Sequence, residues 1–148
     1  MKKIVFSLVL FLLVASTVSA YNLEVEEGLD EEFVRQVASL VPEEYYEGVK
    51  EIVITSEGVE RRFPGGTVTY MGMAYPREGR MVVQLDELHP RRTYWFVNVY
   101  AHELAHLHAE AQGLNPPICD RGGDIPVCEA IAVSLQREIL LGMLRNLP

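Results

Sequence analysis

The stretch His102-Glu103-Leu104-Ala105-His106 reads H-E-x-x-H and lies in a run, 91–112, that contains neither glycine nor proline. An uninterrupted run of that length predicts a helix, and Tyr94, Val97, Ala101 and Leu104 draw one apolar line along it, widened by Phe96, Tyr100 and Leu107. Residues four apart on a helix leave the same face one turn apart, so the imidazoles of His102 and His106 can converge on one ion. Neutral imidazole is a good zinc ligand, and Glu103 between them is placed to take a proton from water at the metal. Gly113 should end this helix. His108, two positions from His106, points elsewhere and reads as a surface residue. Trp95 and Val99 lie on the His102 side and serve either packing or the lining of a cleft.

The 148 residues support one domain, with apolar content near half, as in a folded globule. A net charge of −8 argues against nucleic acid and anionic lipid as partners, since phosphates need Lys and Arg. Residues 1–20 read as a secretory leader: Lys2 and Lys3, an apolar run over 4–14 broken only by Ser7, then Val18-Ser19-Ala20 as a cleavage site before Tyr21. The competing reading is an uncleaved membrane anchor, for which the run is short. In either case 21–148 forms one extracytoplasmic domain, free of the membrane once the leader is removed.

Upstream of the motif, 21–29 is acidic and irregular. Asp30 is a good N-cap for a helix over 31–41, where Phe33, Val34, Val37, Leu40 and Val41 make one stripe. Pro42 opens a short helical turn through Glu47, in which Tyr45 and Tyr46 serve packing. Strands are expected at 52–54, at 67–71 continuing toward Tyr75, and at 81–85, the last two forming a hairpin. Gly72 marks a bulge or a close backbone approach. The strand 81–85 is expected at the sheet edge, where it could pair with an extended peptide. His89, before Pro90 in a connection, carries no role at the site.

Downstream, a loop from Asn115 to Pro126 leads into a last helix over 127–143. Cys119 and Cys128 are the only cysteines, and outside the cytoplasm they should form a disulfide, against the rival reading of one as a zinc thiolate. Closing so short a loop stabilises by about 3 kcal/mol on the chain-entropy account.

A catalytic zinc site needs a third protein ligand. Glu110 continues the i+4 series but stands about 12 Å along the helix axis from His102, too far for bonds of about 2 Å. Asp120, Asp124, Glu129 and Glu138 remain. Glu129 is favoured because it opens a helix, has small neighbours in Ala130 and Ala132, and follows the Cys128 staple. Complementing the helix dipole would by itself explain a glutamate there.

With His102, Glu103, His106 and Glu129 in this order, the chain resembles the gluzincins, zinc metallopeptidases with H-E-x-x-H on one helix and a glutamate ligand on a later one. It is similar above all to the minimal single-domain minigluzincins. The resemblance covers about 30–145 in element order. It implies an α+β, zincin-like fold: a small, about three-stranded sheet with an N-terminal helix, the motif helix and a C-terminal glutamate-bearing helix. It implies one zinc per chain on His102, His106 and Glu129, Glu103 as general base, and a peptide or protein substrate. The chain departs from the pattern at Val133, where gluzincins often place an aspartate that braces a histidine, and no Tyr or His follows Glu129 to polarise the substrate. Tyr70, Tyr75 and Arg137 are the candidate substitutes. The alternative is a zinc-binding module without turnover, or a latent enzyme whose apolar C-terminal end covers the cleft.

Overall fold

The structure is a computed structural model that describes residues 21–121 and 125–148, with Asp120 and Arg121 entering as backbone only. The leader read at 1–20 and Asp124 lie outside the described residues. The fold is α+β. Three helices, α1 (Glu31–Leu40), α2 (Arg92–Ala111) and α3 (Pro126–Arg145), accompany six strands among the described residues. The strands are β1 (Asn22–Val25), β2 (Glu51–Thr55), β3 (Val59–Phe63), β4 (Gly66–Tyr70), β5 (Gly72–Tyr75) and β6 (Arg80–Gln84). None of the described helices is long and apolar enough to cross a membrane.

The main sheet has four strands in the order β1-β2-β6-β5, parallel from β1 to β6 and antiparallel between β6 and β5. This corrects the expected three-stranded sheet in three places. The segment 21–29 contains β1, whose Leu23 and Val25 alternate with Asn22 and Glu24 and turn toward the core. The strand beside β6 is β5, while β4 pairs with β3 in a separate two-stranded hairpin. The stretch 81–85 is interior, because β6 is hydrogen-bonded on both sides and Met81, Val82 and Val83 are all buried. The edge nearest the motif helix is β5.

The core lies between this sheet and the helices: Val34 and Val37 of α1, Ile52 and Ile54 of β2, Met81 and Val83 of β6, Phe96, Tyr100 and Leu104 of α2, and Ile139 of α3. Asp30 caps α1 through Oδ1, which accepts from Phe33 N at 3.0 Å, a bond worth about 1 kcal/mol. Tyr46 donates to Ala38 O at 2.8 Å and lies 3.0 Å from the Tyr100 hydroxyl. Burial pushes both phenols above their ordinary range, so they act as hydrogen-bonding core residues. His108 corrects a second expectation. It packs against Tyr45 with ring centroids 4.9 Å apart, and burial holds its imidazole below the usual value. Against the latent-enzyme arrangement, the C-terminal end of α3 does not cover the cleft. Asn146 donates to Leu40 O at 2.9 Å beside α1, about 25 Å along the helix from Glu129.

Candidate metal centre

α2 and α3 pack against each other, and their contact brings the two histidines to the first turn of α3. His102 Nε2 lies 3.3 Å from His106 Nε2 and 3.1 Å from Glu129 Oε2, and His106 Nε2 lies 3.3 Å from Glu129 Oε1. Tetrahedral coordination with bonds of about 2.0–2.1 Å separates its donor atoms by about 3.3 Å. The three residues therefore already hold the mutual spacing that a four-coordinate ion requires, and they form a group that could hold a metal ion. All three are partly exposed, which leaves one side open to the cleft.

The environment of His106 fits the same role. Burial, reinforced by the neighbouring His102, holds the His106 imidazole below its ordinary pKa, with Glu129 acting in the opposite direction. For His102 the tautomer follows from a relay. Gln136 Nε2 donates to Asn98 O at 3.1 Å, which turns its Oε1 toward His102 Nδ1 at 3.2 Å. An amide oxygen can only accept, so Nδ1 carries the proton and Nε2 presents its lone pair to the site. Asn98 is itself tied to Tyr94 O at 2.7 Å. Gln136 is the residue that sequence reasoning missed. Val133, the position where the resemblance would place a bracing aspartate, is exposed, whereas Gln136 stands seven residues past Glu129, two helical turns on and on the same face.

Glu129 is positioned from two sides. Its backbone N–H bonds to Ile125 O at 3.0 Å as α3 begins, with Pro126 in the first turn. The preceding residue, Cys128, is joined to Cys119 by the expected disulfide, with Cα atoms 5.8 Å apart, so neither cysteine is a free thiolate ligand. Glu138 is exposed on α3 outside the ligand group, and the side chains of Asp120 and Asp124 lie outside the described residues.

Glu103 is 8% exposed and lies against β5. A Cβ on Gly72 would stand 2.5 Å from Val99 Cγ1 and 2.7 Å from both Cγ and Oε1 of Glu103. The close approach expected at Gly72 is thus an approach to the Glu103 carboxylate itself. The glycine lets the sheet edge come down onto α2 beside the motif. The resulting cleft, about 300 Å³, is lined by His102, Glu103, His106 and Glu129 on the helix side and by Gly72, Met73, Ala74 and Tyr75 of β5. Arg61 and Tyr70 of the β3–β4 hairpin border it as well. Tyr70 and Tyr75 are therefore at the cleft, while Arg137 is exposed on α3 and does not line it. His89 accepts from Arg91 N at 3.0 Å and meets Trp95 edge-on, a structural role at the start of α2.

Comparison with protein-family models, with curated proteins and with solved structures finds no match to this chain.

Proposed function

We propose that the chain is an exported zinc-dependent metallopeptidase of the gluzincin type, with a zincin-like arrangement of α2, α3 and the β5 edge. The observation that carries this reading is the donor spacing of 3.1–3.3 Å among His102, His106 and Glu129, with Glu103 buried beside them at the same cleft. Two imidazoles and one carboxylate suit zinc, and three protein ligands are the number found in catalytic sites. Export is supported by the disulfide.

His102, His106 and Glu129 would hold the ion. When bound, zinc supplies Lewis acidity that brings the pKa of water near neutrality and polarises a carbonyl. The Glu103 carboxylate takes the proton of the attacking water and delivers it to the nitrogen of the leaving amine. Tyr70 and Tyr75 line the same cleft and would be the phenols to polarise the substrate carbonyl. The open edge of β5 offers its backbone to an extended peptide. The Gln136–Asn98 relay keeps His102 in the ligating tautomer.

The direct test is elemental analysis of the purified mature protein, with one zinc per chain expected and none in His102→Ala or His106→Ala. Glu129→Gln should weaken zinc binding by at least about tenfold, and Asp120→Asn and Asp124→Asn should leave it nearly unchanged. A folded chain that takes up no zinc, or affinity governed by Asp120 or Asp124, sinks the reading. A chain that holds zinc and cleaves nothing in a broad peptide library is the binding module instead.

Gln136→Ala tests the relay separately. Losing the group that orients a ligating imidazole should weaken zinc binding by about 10–100-fold while the fold persists. Wild-type affinity in that variant, measured by competition with a chromophoric chelator, would remove Gln136 from the site.

A further inference from the structure

We infer that Arg61 selects peptides carrying an acidic side chain between apolar residues, bound across the face that the β3–β4 hairpin turns toward the cleft. The inference rests on the peptidase reading and names its substrate class.

The hairpin is sharply two-sided. Side chains alternate along a strand, and directly paired residues share a face. Val59 pairs with Tyr70, Arg61 with Val68 and Phe63 with Gly66. One face therefore carries Val59, Arg61, Phe63, Val68 and Tyr70, and the other carries Glu60, Arg62, Thr67 and Thr69. The first is the cleft side, because Arg61 and Tyr70 line the cleft. It is an apolar surface with a single cation in it. Phe63 and Val68 on this face are 44% and 45% exposed.

Arg61 differs from the comparable arginines. Among the described residues, the other half-buried ones hold carboxylates, Arg80 with Glu51 and Arg92 with Asp30, whereas Arg61 has neither an ion pair nor a hydrogen bond. A guanidinium partly withdrawn from water costs free energy that a bound acceptor restores, and its planar fork matches a carboxylate. Val59 on one side of Arg61 and Phe63 on the other indicate a chain that continues past the cation in both directions. That favours an internal Glu or Asp over a terminal carboxylate, which would leave one apolar neighbour unused.

The test uses short fluorescent peptides of apolar background, with Glu at each position in turn, its Gln and Lys counterparts, and each peptide as free acid and as C-terminal amide. Binding is measured by anisotropy to the Glu103→Gln protein, so that no turnover is needed, and cleavage of the same set by the wild-type chain. At one register, Glu peptides should bind at least about tenfold better than Gln peptides, irrespective of C-terminal amidation. Arg61→Gln should abolish the difference and Arg61→Glu should reverse it toward Lys. Equal binding of Glu and Gln, a preference that survives Arg61→Gln, no binding at all, or discrimination by the free C-terminus alone would each overturn the inference. Arg61-dependent binding without any cleavage by the wild type would uphold it and count against the peptidase reading.

Discussion

Glu103→Gln is expected to keep its zinc and to lose peptide cleavage by about 10²–10⁴-fold in kcat/KM. Glutamine has the same shape, so the packing of this buried residue against β5 persists, and the ligand atoms belong to other residues. What disappears is a carboxylate able to accept a proton. On the proposed mechanism the loss should fall on kcat rather than KM, because the group would act in the transition state and not in holding the peptide. Zinc content measured alongside the kinetics makes the result interpretable. A variant retaining activity within a few-fold would show that the proton goes elsewhere, and one that lost zinc would make Glu103 part of the metal's support.

Gly72→Ala should lower activity by about 10²-fold or more with zinc still bound. The new methyl group would have to share space with Val99 Cγ1 and with Cγ and Oε1 of Glu103, at 2.5–2.7 Å. Either β5 lifts from α2 or the Glu103 side chain turns away, and a displacement of about 1 Å at a catalytic group can cost about 10²-fold. Overpacking of this kind costs about 1–3 kcal/mol, so thermal unfolding should show a modest fall. Because the ligands are not touched, loss of activity with full zinc and a nearly normal unfolding transition is the expected signature. Wild-type rates would mean that β5 yields freely and that its position against Glu103 is unimportant.

The three helices were legible because each is long, periodic and bounded by strong signals. Asp30, Pro42, Gly113 and Pro126 mark their ends, and the observed limits fall within about two residues of the expected ones. The sheet was less legible because its pairings are non-local. β1 has only Leu23 and Val25 to announce it and acquires its meaning from β2, where Asn22 pairs with Glu51. β3 is hard to read locally because its central Glu60, Arg61 and Arg62 resemble a loop, and only its pairing with β4 makes it a strand. Two of the proposed ligands lie four residues apart on one helix and could be read locally. Glu129 needed reasoning about helix starts and the disulfide. Gln136 could not be found that way, since its role depends on how α3 lies across α2, which no local pattern encodes.

The two edges of the main sheet bear differently on the risk of aggregation. An uncovered strand offers a row of unpaired peptide groups to any extended chain, including another copy of the same protein. β1 is four residues long, with Glu24 within it and Glu26 and Glu27 just beyond, so approach of a second β1 would set carboxylates against carboxylates. β5, Gly-Met-Ala-Tyr, is also four residues long but carries no charge along the strand. Of the two edges, β5 is therefore the one through which copies of the chain would pair, while β1 stays inert.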